Sequence, residues 1–323
     1  MKTEEFLEKL ASTGEQTLYG EIPRYQHVER LGSKNVEGLL DTRPLVIQEK
    51  IDGANLTVAM GPEGEAICSR RQLLSARGIP PTGFRGAVEY VLAHKGITQL
   101  LQDKPNWILR GEWLVHHTLN YSAESWNKFY VFDIQDADNN MAYIPVWDYS
   151  ETLNAYEILT VPLLKIYDIE DPHVGVEDLL SLADMQSPLG AEKREGVVIK
   201  NYNFVNKFGR TQWGKLVLAE FQEEHKSNGC TKKDPIETRF VVQCISDTLV
   251  EKTMAKIEDL HEAPFTAKNI GELLGRVWHD AFVEELWDFV NKNKVNNFDF
   301  HTARKLSDNK IRGIALAKLN GSN

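Results

Sequence analysis

The feature that most constrains this chain is a change of apolar period part-way along it. From about residue 44 to 221 the apolar residues come in short or alternating runs broken by turns: PLVIQEK, ANLTVAM, AICSRR, WILRGEWL, FYVFDI, MAYIPV, VPLLKIY, EGVVIK and KLVLAEF. Runs of this length and composition read as strands. Helical stretches at 86–96, 150–159 and 176–185 interrupt them without a one-strand-one-helix rhythm. That irregularity favours an α+β domain of largely antiparallel sheets with flanking helices over a doubly wound parallel fold. Further on, Ile270, Leu273, Leu274, Val277, Trp278, Ala281 and Phe282 fall on the single stripe of an amphipathic helix, and 236–260 and 311–319 read the same way. Trp278, Phe282, Trp287 and Phe289 read as helical core rather than as a platform for stacking bases. Between the two patterns lies QEEHKSNGCTKKDPIET, a polar, turn-rich stretch that marks a domain boundary. The expected organisation is an α+β domain over 1–225 and an all-helical domain over 226–323.

A chain of 323 residues has room for both. Its longest apolar runs fall far short of the roughly 18 residues that cross a bilayer, so no membrane span is expected. The N-terminal MKTEEFLEKLASTGEQ, with four glutamates, reads as a short surface helix and not as a secretory or transit segment. Cys68, Cys230 and Cys244 form no close pair, so neither a disulfide framework nor a thiolate zinc site is indicated, which fits a cytoplasmic protein. Net charge is 37 minus 47, or -10, so the chain is not a generally basic nucleic-acid binder. Charge is segregated, however: Lys193 to Lys233 holds nine basic and four acidic residues. Such a segment is either a solvated face or a track for polynucleotide phosphates.

Chemistry concentrates in a series of strand ends. Glu49-Lys50-Ile51-Asp52-Gly53-Ala54-Asn55 places a lysine before a turn, Arg70-Arg71 closes a strand, and Gly111-Glu112 lies on another. Then come Phe129-Tyr130-Val131-Phe132-Asp133, Glu195-Gly196-Val197-Val198-Ile199-Lys200, and Lys215 on the next strand. A lysine amine becomes a nucleophile where neighbouring cations disfavour its charged form, and Arg70, Arg71, Lys200, Lys215 and a divalent metal are the candidate cations. A phosphoryl group in transfer needs lysines and metal around its oxygens, which suits Lys200 and Lys215. Hard oxygen ligands for magnesium are available in Glu112, Asp133 and Glu195. His116 and His117, adjacent on a strand, face opposite ways and do not share an ion.

In this order the motifs resemble those of the covalent nucleotidyltransferases, the superfamily of polynucleotide ligases and mRNA capping enzymes. Within it, the Glu-Lys-x-x-Gly-x-Asn opening, the Phe-Tyr-Val-Phe-Asp strand and the helical C-terminal region are similar to the RNA-ligase-2 group of phage-type, nick-sealing RNA ligases. The motifs cover about 50–215. The resemblance implies an adenylyltransferase domain at the N-terminus and ATP and Mg2+ as cofactors. Lys50 then takes AMP from ATP, passes it to an RNA 5'-phosphate, and a 3'-hydroxyl displaces it in RNA repair. It places Glu49 near the adenine, Glu112 on the ribose, Phe132 against the base, and Asn55 with Arg71 or Arg70 on the phosphate side. Lys50, Glu195, Lys200 and Lys215 are the expected catalytic set, acting in a monomer on RNA ends, foremost those of a nicked duplex.

Two positions depart from that group. Its last motif usually offers two lysines two positions apart, whereas Lys215 is followed here by Val217, leaving Lys226 as a candidate replacement. Asp52 stands where nick-sealing RNA ligases often carry His, so this position does not separate RNA from DNA. A DNA ligase or capping enzyme would carry an Arg-x-Asp-Lys element in a barrel after Lys215, and the sequence has neither the element nor the strand pattern. A non-catalytic relative that binds nucleotide or RNA ends is the remaining alternative.

Overall fold

The computed structural model describes residues 17–19, 22–61, 64–69, 73–76, 84–115, 119–218, 231 and 233–321. The protein is α+β, and the chain divides into two compact units, Met1–Leu218 and Ala219–Asn323. The division falls a few residues before the turn-rich stretch that suggested it. The expected N-terminal helix, Arg70, Arg71, His116, His117 and Lys226 lie outside the described residues.

In the first unit the strand-like runs form two sheets and a short hairpin. The hairpin joins β1 (Thr17–Tyr19) to β2 (Ile22–Pro23). The five-stranded sheet contains β3 (Glu29–Arg30), β4 (Leu45–Lys50), β11 (Leu163–Tyr167), β12 (Gly196–Lys200) and β13 (Gly214–Val217), in the order β11-β4-β12-β13-β3. The six-stranded sheet contains β5 (Ala54–Gly61), β6 (Gly64–Ser69), β7 (Leu73–Ala76), β8 (Trp107–Leu114), β9 (Lys128–Asp136) and β10 (Ala142–Ile144), ordered β10-β9-β8-β5-β6-β7. Every pairing is antiparallel except β13 with β3. Each sheet buries one face against helices, as alternating strands require. Leu56, Val58, Leu109, Trp113 and Val131 pack under α1 (Arg85–Ala93), α2 (Lys95–Asp103) and α3 (Val146–Ala155). Leu45, Ile47, Val197, Ile199 and Leu216 pack against α4 (Val176–Ala183). The predicted helix at 86–96 ends early because the His94 side chain accepts a hydrogen bond from Ile97 N–H and starts a new helix.

The second unit is helical: α5 (Ile236–Cys244), α6 (Asp247–His261), α7 (Ile270–Asn293) and α8 (Phe300–Gly321) share one core around Phe240, Val250, Ile257, Leu273, Val277, Ala281, Ile311 and Ala315. The stretch 236–260 is two helices, not one. Ser246 accepts a hydrogen bond from Leu249 N–H and caps the second of them. Phe289 is buried and Trp278 packs on the core, but Trp287 is 70% exposed, so the aromatic set is only partly core. No helix among the described residues is long and apolar enough to cross a membrane.

Asp259 on α6 gives this unit a pH dependence. Burial, then the nearby Glu262, pushes its carboxyl from the ordinary 3.8 up to about 7, and its Oδ2 accepts no hydrogen bond. A folded-state value above the unfolded one means the contribution to stability is fully present at low pH and is lost as pH rises through about 7. Asp259→Asn removes that titration. The variant's unfolding midpoint relative to wild type is expected to climb from about pH 4 to about pH 7 in thermal melts and to level off above, since the charged form carries the cost. A constant difference across that range would show that Asp259 does not titrate there.

Candidate active site

Strand register decides which side chains meet. Lys50 lies opposite Gly196, Gln48 opposite Val198, and Val46 opposite Lys200; across the next pair, Val198 faces Lys215 and Gly196 faces Val217. Opposed residues share a face, so Lys50, Gln48, Lys200, Lys215 and Val217 emerge on one side of the five-stranded sheet. Lys50 ends β4 and Glu195 immediately precedes β12, and their side chains meet with Nζ 2.7 Å from Oε2. Both are partly buried, at 24% and 13% side-chain exposure, so the pair is neither sealed off nor freely solvated. Gly196, opposite Lys50 and Val217 in register, lets β12 close on β13. A Cβ there would lie 2.1 Å from the Leu216 carbonyl oxygen, closer than any side chain tolerates.

The six-stranded sheet brings a second group. Asn55 lies opposite Glu112, and Glu112 opposite Tyr130. Gly53 N–H, in the turn that follows Lys50, donates to Glu112 Oε1 at 3.2 Å, and Asp52 N–H donates to the Tyr121 hydroxyl at 3.0 Å. The turn after Lys50 is thus tied to β8. In β9 the register slips: Arg110 pairs with Asp133 but Gly111 with Val131, leaving Phe132 as the extra residue of a bulge. A bulge re-aims its side chain and frees a backbone carbonyl. Here the Phe132 carbonyl accepts from Lys200 Nζ at 2.7 Å and from the Tyr149 hydroxyl at 3.1 Å.

That arrangement puts two of the expected site residues in the interior. Lys200 is 1% exposed, with its amine also 2.8 Å from Asp133 Oδ1 and over the rings of Phe132 and Trp213. Burial pushes its pKa down, against the opposing pull of Asp133. Four residues along β12 from the position facing Lys50, its attachment point is about 13 Å away from that end of the sheet. Here Lys200 clamps the Phe132 bulge, holding its carbonyl and the Asp133 carboxylate. Asp133, expected as a metal ligand, is fully buried, and its Oδ2 accepts from the Tyr25 hydroxyl at 2.5 Å and from Trp213 Nε1 at 3.1 Å. Lys200 pairs with the other oxygen, so the carboxylate faces an ammonium, a hydroxyl and an indole of the protein itself. Among the described residues no group of three His, Cys, Asp or Glu side chains is disposed to share a metal ion.

Glu49 does not join the group. Alternation puts its side chain on the face away from Lys50, where it is 2% exposed and 3.7 Å from Arg194 Nε. Burial pushes its carboxyl pKa up. Three residues that the motifs did not single out do join. Gln48, 2% exposed on the Lys50 face, has an Oε1 without a hydrogen-bond partner among the described residues. Tyr25 covers Phe132, with ring centroids 5.0 Å apart. Arg110, fully buried, donates to Gln135 and Thr57 and lies 6.0 Å from the Tyr25 ring. Alternation along β4 was the available signal for Gln48; nothing in the local sequence points to Tyr25.

The RNA ligase family model matches residues 43–217, which is 175 of the 323 residues and contains every motif position described above. The chain belongs to the RNA ligase family. Solved structures of the Naegleria gruberi RNA ligase resemble this family member at low identity. The form with PPi is 23% identical over 64% of this chain and 58% of that one, with a TM-score of 0.46. A lysine-to-methionine variant with AMP and Mn is 22% identical over 63% and 58%, also at 0.46. A lysine-to-alanine variant with ATP and Mn is 22% identical over 62% and 58%, at 0.44. The chain thus spans less than two thirds of the length of the ligases it matches. No curated protein matches it.

Proposed function

We propose that the protein is an ATP-dependent RNA ligase that works through a lysyl-AMP intermediate. The observation that carries this reading is the Lys50 amine at the end of β4, held 2.7 Å from Glu195 on the face it shares with Lys215 and Gln48. The amine must give up a proton before its lone pair can attack, and Glu195 Oε2 is the acceptor in reach. Attack on the α-phosphorus of ATP forms the Nζ–P bond and breaks the P–O bond to pyrophosphate, which leaves. Lys215 offsets charge on the phosphate oxygens. An RNA 5'-phosphate oxygen then displaces Lys50 from the AMP, and an RNA 3'-hydroxyl displaces AMP, forming the phosphodiester.

The donor set fits a divalent cation of the magnesium type. Glu195 and Glu112 are carboxylates beside the nucleophile loop, and Asn55, opposite Glu112, has a buried amide oxygen without a hydrogen-bond partner among the described residues. When bound through these oxygens, the ion would stabilise negative charge on the reacting phosphate. Phe132, re-aimed by its bulge, offers a face to the base, and the Gln48 Oε1 acceptor suits the amino group of adenine rather than the carbonyl of guanine. A nicked RNA duplex, a monomeric enzyme, a cytoplasmic setting and a repair role complete the proposal.

Intact-mass analysis after incubation with magnesium and either ATP or GTP tests this reading. Wild type is expected to gain one AMP with ATP and nothing with GTP, and Lys50→Ala to gain neither. Folded wild-type protein that stays unmodified across several metals would remove the ligase reading.

A further inference from the structure

The hairpin between β12 and β13 carries an exposed surface that the nucleotide chemistry does not use. Asn206 N–H donates to the Arg210 carbonyl at 2.9 Å, and Gly209 N–H donates to the Asn206 carbonyl at 2.9 Å. The Asn206 side chain, 7% exposed, accepts from Phe208 N–H and Arg210 N–H and donates to the Asn35 carbonyl. Gly209 closes the turn at φ +75°, in the left-handed region where a side chain is strained. The turn is therefore held from inside, at low conformational entropy. What it presents outward is apolar and basic: Phe208 is 61% exposed, Val205 is 58% exposed, and Arg210 is exposed with its guanidinium outside every ion pair of the described residues. Lys207 pairs with Glu37 at 2.8 Å, and Lys207 and then Lys34 hold that carboxyl below its ordinary range. Lys34, Lys207 and Arg210 outnumber Glu37 and the Glu29 carboxylate that Asn35 holds at 2.8 Å, so this tip is basic in a chain of net charge -10.

An exposed aromatic on a rigid turn among cations fits a polynucleotide, which offers a flat base and a phosphate every few ångströms. We propose that the 205–210 turn is an RNA contact outside the nucleotide pocket. Phe208 stacks on a base of the strand flanking the joint, while Arg210, with Lys34 and Lys207, meets its phosphates. The proposal rests on the RNA ligase reading. It adds a binding point at the far end of β12 from Lys50, so it affects engagement of RNA and not loading of AMP.

The test is fluorescence anisotropy of a labelled nicked RNA duplex and its single strand over a salt series, with the full-length chain and with Phe208→Ala, Phe208→Trp and Arg210→Ala. AMP adduct formation is measured in parallel. Phe208→Ala is expected to weaken RNA binding roughly 5- to 100-fold, the range for losing one base–aromatic stack, and Phe208→Trp to retain it. Arg210→Ala is expected to reduce the slope of log affinity against log salt by about one. All three should form the AMP adduct at the wild-type rate. RNA affinities and salt slopes indistinguishable from wild type, in variants that still load AMP, would overturn the proposal alone. Failure of wild type to load AMP would instead strike the ligase reading, and the affinity comparison would still decide whether this turn binds RNA.

Discussion

Asp133→Ala is expected to cost the N-terminal unit about 3–5 kcal/mol of stability, the loss that follows when one partner of a buried ion pair is stranded. The Lys200 ammonium at 1% exposure would keep only the Phe132 carbonyl, and the Tyr25 hydroxyl and Trp213 indole would lose their shared acceptor. Lys200→Met is expected to be comparably destabilising, because it leaves the Asp133 carboxylate buried without its cation. Removing both charges separates stability from function. Asp133→Leu with Lys200→Met should recover most of the lost stability, since apolar groups can replace a buried pair. AMP loading should stay low, because Lys200 is one of the two donors that hold the Phe132 carbonyl of the bulge. Urea denaturation gives the first quantity and the rate of AMP adduct formation the second. A double variant that regains both stability and loading would show that the clamp does not position Phe132. Single variants losing less than about 1 kcal/mol would show the pair to be solvated, as surface pairs are.

The strand runs and their motif residues were legible because alternation and short length are local properties, whereas the meeting of Lys50 with Glu195 depends on the register of β4 with β12 and was not. The burial and pairing of Lys200 and Asp133 were not legible either. A carboxylate and a lysine on apolar strands read as site residues, but Asp133 on β9 and Lys200 on β12 belong to different sheets and meet in the interior between them. A one-residue slip in register leaves no trace in the hydrophobic pattern of Phe-Tyr-Val-Phe-Asp-Ile, where nearly every position is apolar. Tyr25 was illegible for another reason: its partner Asp133 lies 108 residues away, in a segment whose own pattern is weak. In the helical unit the apolar stripe outweighed the cap. Ser246-Asp247 carries an ordinary helix-start signal, yet the period runs through it because α5 and α6 bury residues into the same core. The apolar spacing of 311–319 found only part of α8, whose first turns bury Ala303 and Ser307, residues too small or polar to register as a stripe.

Glu195→Gln is expected to lower the rate of AMP loading about 10²- to 10⁴-fold, the span associated with losing a positioned proton acceptor. The amide keeps nearly the same shape and still accepts a hydrogen bond from Lys50, so the thermal midpoint should hardly move. What it loses is the negative charge and the ability to take the proton that the amine must shed. Single-turnover adduct formation at saturating ATP isolates this step from RNA binding and nick sealing. Two roles are proposed for the same carboxylate, and metal concentration distinguishes them. If Glu195 serves chiefly as a ligand, the variant's rate should recover as magnesium or manganese is raised, because a weakened site is refilled by mass action. If it serves chiefly as the proton acceptor, the rate should stay low at saturating metal. Glu195→Asp supplies the geometric control: it retains charge and basicity but withdraws the oxygen by one methylene from its 2.7 Å approach to Lys50. An intermediate loss in Glu195→Asp fits either role, whereas Glu195→Gln loading AMP within about threefold of wild type at every metal concentration would mean that the ion pair holds Lys50 in place without taking part in its chemistry.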